Sequence, residues 1–260
     1  MRIVVCIKQV LDHATIRVSS RGELDTRDGV LVINAADLCA LEAALTLRDA
    51  HGGDVIALTL GAPEAEDALR EALAIGADRA ILLNDALFDG SDARAVSYAL
   101  AQAVRKIGEV DALLAGVASS DVCGGEVGPT MAELLAWPHI TGAVCLEVAG
   151  KRATAVQSLE DGDRKISVPL PAVVTIARDS NTPRLAPVAS IMNAYAVGAL
   201  STWSAEDIAA DAARLGAAAA LTVERRSLAP EAAAKGDLLT GTAREAAQAL
   251  AARLRRRGFI

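Results

Sequence analysis

Short, continuous apolar runs alternate with longer helix-compatible stretches in the first half of this chain, and this alternation constrains the fold most. The runs rich in Val, Ile and Leu lie at residues 2–7, 54–60, 79–83 and 111–114. Because polar residues do not alternate with apolar ones there, the runs predict strands buried on both faces, as in a parallel sheet. The stretches between them, at residues 35–50, 63–75 and 92–107, are long enough for crossover helices. We therefore expect a doubly wound, mostly parallel α/β sheet.

Several smaller elements interrupt or follow this winding. Residues 15–18 and 30–33 flank a polar stretch and predict an inserted hairpin, and residues 153–158 and 165–168 predict a second one. Residues 172–176 predict another buried strand. Asn34 is expected to cap the helix at 35–50, and further helices are expected at 127–135, 188–197 and 242–257.

Composition excludes several classes of function. The chain has 26 basic and 33 acidic residues, a net charge of −7, and only 2% aromatic residues, which argues against a nucleic-acid binder. No apolar run reaches the length of a membrane span, so no direct membrane insertion is expected, and the N-terminus is interpreted as a strand and not a signal peptide. The four scattered cysteines are typical of a reduced, cytoplasmic protein without a metal site.

Ligands of open α/β sheets bind beyond the carboxyl ends of the strands, where strand order reverses. The most informative loop there is residues 116–130, whose small residues allow the backbone to approach a ligand and whose following helix start can hold a phosphate. A flexible connection into helix 127–135 explains the same residues. Ser91 and Asp92 suggest a second anion site, although capping of the following helix explains them equally.

No catalytic constellation is found. Ser119, Ser120 and Asp121 share a loop, but neither His13 nor His139 has an evident reason to join them as a triad. His139 is interpreted as a turn residue after Trp137 and Pro138. Cys123 is expected to be a small buried cysteine and not a reactive thiol. The chain is predicted to bind ligands and not to make or break bonds.

An ordered set of segments resembles a known family. The segments are 4–12 (VVCIKQVLD), 33–37 (INAAD), 72–80 (ALAIGADRA), 170–175 (LPAVVT), 181–184 (NTPR) and 191–192 (IM). Together they resemble the β subunit of electron transfer flavoprotein, over roughly residues 1–200 and more loosely at the C-terminal helix. The resemblance implies an adenine-nucleotide α-hydrolase-like fold with inserted hairpins and an extended C-terminal arm.

The resemblance also implies cofactors and a partner. In this family a redox-active FAD lies at the interface with an α subunit, and the β subunit carries AMP or a second FAD. The positions implied as nucleotide or flavin contacts are Cys6, Lys8, His13, Asn34, Ala35, Ala36, Asp37, Leu60, Gly61, Ser91, Asp92, Arg94, Ser119, Ser120, Asp121, Val122, Cys123, Gly124, Gly125, Glu126, Val127, Gly128 and Thr130. His13 would lie beside the flavin ring, where a cationic imidazole would favour a reduced, anionic flavin; its alternative role is simply to end its loop.

Two departures from the family pattern affect these expectations. In the loop at 116–130, Val117 and Ala118 replace a Lys and a Gln, and Glu126 replaces a Gln, so Coulomb repulsion is expected to weaken phosphate binding. Residues 90–97 resemble the loop with which FAD-carrying β subunits hold a diphosphate, but Ala93 and Val96 stand at its two usual Thr positions; Arg94 offers a compensating charge-assisted contact there. The sequence leaves AMP and FAD open as the β-subunit nucleotide.

Residues 184–192 resemble the segment with which the family docks partner dehydrogenases. The implied docking residues are Arg184, Leu185, Val188, Ile191 and Met192. Val188 stands where a protruding Leu is common, so weaker or differently shaped docking is expected. The lysine cluster that often follows is absent from the sequence.

The expected organisation is a nucleotide-binding domain at 1–183, a partner-recognition loop and helix at 184–200, and a C-terminal arm at 201–260 that packs on the α subunit or, alternatively, on the chain's own main domain. The implied function is electron transfer from flavin-dependent dehydrogenases, such as acyl-CoA dehydrogenases, towards a quinone-linked oxidoreductase. The chain itself would be a carrier subunit and not an enzyme. The alternatives are an electron-bifurcating variant with FAD in the β site and a universal-stress-type nucleotide-binding regulatory module.

Overall fold

A computed structural model describes residues 1–19, 23–195, 198–223, 225 and 236–260. The chain divides into two compact units, residues 1–17 with 25–225 and residues 18–24 with 226–260. The strands and helices, in chain order, are β1 (Arg2–Cys6), β2 (Gln9–Leu11), β3 (Arg17–Val18), β4 (Leu24–Asp25), β5 (Leu31–Ile33), α1 (Ala35–His51), β6 (Asp54–Leu60), α2 (Glu66–Ile75), β7 (Arg79–Leu83), α3 (Ala93–Ile107), β8 (Ala112–Gly116), α4 (Val127–Leu135), β9 (His139–Ala149), β10 (Arg152–Leu159), β11 (Gly162–Pro169), β12 (Ala172–Ile176), α5 (Val188–Asn193), β13 (Leu200–Trp203), α6 (Gly216–Ala219) and α7 (Ala243–Arg256).

One nine-stranded sheet organises the first unit, in the order β11-β10-β9-β12-β8-β1-β6-β7-β13. Starting at β9 and moving along the sheet to the edge strand β13, each strand is parallel to the next. At the other edge, β10 pairs antiparallel with both β9 and β11. The predicted doubly wound, mostly parallel α/β fold is therefore confirmed, and so is the hairpin that joins β10 to β11.

Burial on both faces of β1 explains its uninterrupted apolar sequence. Ile3 and Val5 belong to one core, with Leu41 of α1 and Leu69 of α2. Val4 and Cys6 point the other way, into a second core formed with α3 and α4. Because successive side chains of a strand alternate between faces, a strand covered by helices on both sides must be apolar throughout.

The chain between β1 and α1 pairs differently from the prediction. Instead of a hairpin between residues 15–18 and 30–33, β2 pairs antiparallel with β5, and β3 pairs with β4. The cause is local: the Asp12 side chain accepts a hydrogen bond from the Ala14 amide and caps a 3₁₀ turn, which redirects the chain directly after β2. Residues 20–22, at the centre of the expected hairpin, lie outside the described residues.

Two further predictions need correction. His139 does not occupy a turn; it begins β9, which pairs with β12 on one side and β10 on the other. The turn predicted from Trp137 and Pro138 ends one residue earlier than expected, because the Pro138 carbonyl already accepts a hydrogen bond from the Val173 amide of β12. At the other edge of the sheet, Leu200–Trp203 forms the unpredicted strand β13, parallel to β7.

The last helices are shorter than expected. α5 ends at Asn193, and residues 196–197 of the predicted helix lie outside the described residues. In the second unit, α7 begins with a capping box, in which Thr242 and Glu245 exchange side-chain and backbone hydrogen bonds. Across the described parts of both units, no helix combines the length and apolarity that crossing a membrane requires.

Candidate functional site

The carboxyl ends of β1 and β8 border a crevice at one edge of the parallel sheet. From the central strand β1, the chain continues outward through β6 and β7, then returns to place β8 on the other side of β1. Strand order thus reverses between β1 and β8, and in open α/β sheets ligands bind at such a reversal. The loop after β1, the first turn of α1 and the loop after β8 meet there.

Asp37, in the first turn of α1, ties the two strand ends together. One carboxylate oxygen accepts the Lys8 amide at 2.8 Å and the other accepts the Gly116 amide at 2.8 Å. The approach is so close that a Cβ on Gly116 would lie 2.4 Å from the Asp37 carboxylate, so only glycine fits. Burial raises the pKa of Asp37 to about 6, against the opposing effect of the two amides. Asp37 is thus a structural tie beneath the crevice.

Asn34 and Lys8 fasten the loop after β8. The Asn34 side chain does not cap α1 as predicted; its amide donates to the Ala118 carbonyl at 3.0 Å, and its oxygen accepts the Ser120 amide at 3.1 Å. The Lys8 ammonium pairs with Asp121 at 2.5 Å. Burial acts to raise the pKa of Asp121, but hydrogen bonds from Lys8, Ser119 and the Val122 amide, together with the charge of Lys8, outweigh it and lower that pKa. The positive charge of Lys8 is therefore already matched by a carboxylate.

Backbone amides without an acceptor are grouped where α4 begins. Within the described ranges, the N–H groups of residues 124–128 have no hydrogen-bond acceptor, and the helix start lacks a side-chain cap. Gly125 and Cys123 take positive φ angles of 65° and 55°, which turn the chain sharply before the helix. Free amides at a helix start are a favourable environment for a phosphate, whereas the exposed carboxylate of Glu126 opposes an anion.

The prediction that Cys123 is buried is wrong. Its side chain is exposed and not buried, because the left-handed backbone conformation at this residue belongs to a turn that runs along the surface. Its amide donates to the Ser119 carbonyl at 2.9 Å, which closes that turn.

The other predicted nucleotide residues are placed in three ways. A first group, Cys6, Ala36 and Gly128, is buried. The Cys6 sulfur lies 3.9 Å from the Met131 sulfur inside the core, where it is unsuited to contact a ligand. Burial also raises the pKa of the Cys6 thiol. Partly buried or exposed positions that border the crevice or its loops are Ala35, Leu60, Gly61, Ser119, Val122, Val127 and Thr130. His13 is exposed in its 3₁₀ turn, available to a partner surface.

Ser91 and Asp92 bind a later segment of the same unit. Asp92 caps α3 through the Arg94 and Ala95 amides and also accepts the Leu221 amide at 2.7 Å, while the Ser91 hydroxyl accepts the Gly216 amide at 3.0 Å. The capping role is thus present. Arg94 lines a cleft of about 170 Å³ together with Thr130, Glu133 and Arg214. Arg214, stacked 3.8 Å above the Tyr98 ring, was not predicted, because nothing in the local sequence connects it with the start of α3.

The predicted docking residues form a separate site, the docking segment, defined here as residues 184–195. Leu185, Val188 and Met192 are exposed to 90%, 77% and 75%. Arg184, in contrast, turns inward to Glu42 of α1, at 2.9 Å. Burial acts to raise the pKa of Glu42, but hydrogen bonds from Arg184 prevail and lower it. An exposed cluster of large apolar side chains marks a surface that contacts another molecule.

The structure is that of a doubly wound α/β protein, with acceptor-free amides at the start of α4 and a separate, exposed apolar segment. Residues 24–207 match the model of the electron transfer flavoprotein domain. The chain belongs to the electron transfer flavoprotein family, and its resemblance to the β subunits is confirmed.

Three relatives illustrate the likeness. The caffeyl-CoA reductase-Etf complex subunit CarD of Acetobacterium woodii is 37% identical over 263 residues, with both chains covered completely. The electron transfer flavoprotein subunit beta of Clostridium acetobutylicum is 36% identical over 261 residues, again with both chains covered completely. Protein FixA of Azorhizobium caulinodans is 42% identical over 244 residues, which cover 90% of this chain and 86% of the relative. Membership in this family supports a role in electron transfer, with a flavin as the redox group.

Proposed function

We propose that this chain is the β subunit of a heterodimeric electron carrier that accepts electrons from flavin-dependent dehydrogenases and passes them to a quinone-linked oxidoreductase. An α subunit would complete the binding site of a redox-active FAD, and the complex would work in the cytoplasm. The FAD supplies the one- and two-electron chemistry when bound; the chain itself binds, orients and docks. Family membership and the two sites on this chain support the proposal together.

The observation that carries the nucleotide part is the row of unsatisfied amides at residues 124–128. We propose that they bind a phosphate of an adenine nucleotide held in the crevice between β1 and β8. Asp37 and Asn34 would act indirectly, by fixing the loop that bears these amides. The buried sulfur of Cys6 would contribute no contact, so only its backbone would border the nucleotide.

AMP and FAD remain the two candidates for this nucleotide. AMP needs the amide row alone. FAD is favoured by the neighbouring cleft, because Arg94 and Arg214 add two positive charges next to Thr130, and a diphosphate requires more positive charge than a monophosphate. Glu133 in the same cleft opposes this effect.

Co-expression with an α subunit of the family tests the carrier function. The carrier predicts a yellow heterodimer that accepts electrons from a reduced acyl-CoA dehydrogenase. A colourless homodimer that binds an adenine nucleotide without flavin would instead support a regulatory nucleotide-binding module and would refute the proposal.

A further inference from the structure

The docking segment does not hold its own conformation. Its helix, α5, has only six residues, and isolated helices of that length are not stable in water. Its apolar residues Val188, Ile191, Met192 and Tyr195 follow the spacing of one helix face and are exposed, so they contribute little packing to the unit. α5 lies against α2 and Ala186 packs on the core, and polar contacts at the two ends of the segment add to these.

Arg184 fastens the N-terminal end to α1. Its guanidinium donates to both carboxylate oxygens of Glu42, each at 2.9 Å, and to the Asp49 carboxylate at 2.9 Å. The Arg184 amide adds a fourth hydrogen bond, the third to Glu42, at 3.0 Å. A planar guanidinium bound to both oxygens of one carboxylate fixes direction as well as distance.

Arg70 fastens the C-terminal end to α2. Its guanidinium donates to the Ala194 carbonyl at 2.9 Å and to Glu66 at 2.7 Å. The same group lies 4.7 Å from the centre of the Tyr195 ring, a cation–π distance. Ala194 itself is buried at 5% exposure, so this end of α5 rests against the unit.

We propose that Arg184 and Arg70 are positioning residues that hold the docking segment in the conformation a dehydrogenase binds. This inference rests on the proposed docking function but adds residues whose guanidinium groups bind within this chain and need not touch the partner. A segment that is ordered before binding loses less conformational entropy on binding. The affinity of the carrier for its dehydrogenase is thus set partly at Glu42, Asp49 and Glu66, behind the contact surface.

The test uses the heterodimer with its α subunit and a purified medium-chain acyl-CoA dehydrogenase reduced by octanoyl-CoA. Arg184→Gln and Arg70→Gln are each expected to raise the KM for the heterodimer about three- to tenfold, with kcat within about twofold. Because the clamps lie at opposite ends, the two effects should multiply in the double variant. Hydrogen exchange of the amides in residues 185–195 should accelerate in the same variants.

Three variants serve as references. Arg79→Gln removes an exposed ion pair with Asp54 at the start of β7, outside the docking segment, and should change neither KM nor exchange. Arg184→Lys keeps the charge but not the two-point geometry, so it should restore KM only in part and remains informative if Arg184→Gln folds poorly. Val188→Asp reports on the docking surface itself.

These references separate the two claims. If Val188→Asp raises KM while both arginine variants match the wild type in KM and exchange, the clamp inference is wrong and docking stands. If Val188→Asp leaves KM unchanged, or the wild-type heterodimer takes no electrons from the dehydrogenase, the docking function fails and the inference with it.

Discussion

The crevice and the docking segment are held in place by different forces. In the crevice, Asp37 and Asn34 bind backbone groups with side chains that are 6% and 2% exposed. The docking segment is held by arginine side chains that are more exposed: Arg184, 35% exposed, pairs with Glu42 and Asp49, and Arg70, 20% exposed, binds the Ala194 carbonyl and lies over the Tyr195 ring. Buried bonds to backbone are costly to break and little affected by salt, whereas partly exposed ion pairs are weaker and adjustable. This difference fits the proposed roles of the two regions, a lasting cofactor site and a transient contact surface.

The largest expected effect tests the crevice side of the comparison. Asp37→Ala leaves the Lys8 and Gly116 amides without an acceptor in a buried environment, which should lower the free energy of unfolding by about 2–5 kcal/mol. Urea denaturation of the heterodimer measures it. The matched control is Asp111→Ala, which removes an acceptor of the Arg2 amide at the other end of β1. Both variants should be destabilised, but only Asp37→Ala should lose the β-subunit nucleotide; equal nucleotide retention would contradict the tie.

The pH dependence of the crevice gives the second prediction. The pKa of Asp37 is about 6 in the folded chain and 3.8 in the unfolded one, so between these values the folded state binds a proton that the unfolded state does not. The contribution of this group to stability therefore falls as pH rises from about 4 to 6, by roughly 3 kcal/mol.

Carboxylates with a lowered pKa, such as Glu42, change the stability in the opposite direction as pH rises. The measurement therefore compares the wild type with Asp37→Asn, in which residue 37 cannot titrate. The difference in unfolding free energy between the two proteins should shift in favour of Asp37→Asn as pH rises. A difference that stays constant from pH 4 to about 7 would show that Asp37 titrates normally.

The third prediction tests the docking segment by changing the size and the charge of one exposed side chain, that of Val188. Val188→Leu adds a methylene to the exposed apolar face and should lower the KM for the dehydrogenase about threefold, since a buried methylene is worth about 0.8 kcal/mol. Val188→Asp should raise KM about tenfold. Neither should alter stability, because Val188 is 77% exposed. As a control, Leu159→Asp on the distant hairpin should leave KM unchanged; an equal effect there would refute a local docking surface.

The sequence predicted those strands, helices and hairpins whose formation depends on residues that are close together in the chain. The apolar runs of β1 and β6, the bounds of α4 at 127–135 and the β10–β11 hairpin are confirmed because each is encoded within a few residues. β9 was missed because Trp137 and Pro138 look like a turn, whereas pairing with β12 and β10 extends the strand back to His139. The side-chain role of Asn34 was missed for the same reason: its partner Ala118 lies far along the chain.

The clamps of the docking segment could not be predicted either. Arg184 and Glu42 are 142 positions apart, and Arg70 reaches Ala194 over 124 positions. A surface arginine is ordinarily a solvated residue, so no local signal distinguishes Arg184, in the loop before α5, or Arg70, on α2. Only the packing of α1 and α2 against the sheet brings their charged residues beside the segment.

The smallest expected effect concerns His13, the exposed residue that lies in neither region. If its imidazole faces the flavin held by the α subunit, His13→Ala removes a cation that stabilises the reduced form. An exposed charge at about 4 Å contributes about 1 kcal/mol, or about 40 mV for one electron. Potentiometry of the heterodimer between about pH 5.5 and 8 measures it. A midpoint potential that is unchanged over that range would show that His13 only ends its loop.

The central claim, that this chain is the nucleotide-binding half of a flavin carrier, is tested most directly by counting released nucleotides. The wild-type heterodimer, denatured after purification, should release one FAD and one further adenine nucleotide, AMP or FAD. Gly124→Asp places a carboxylate among the unsatisfied amides without a steric clash, so this variant should lose only the second nucleotide. The control is Ala149→Asp, at an exposed position opposite Arg152, and this variant should release both nucleotides as the wild type does. Loss of neither nucleotide in Gly124→Asp, or a wild-type complex that releases no flavin, would contradict the account.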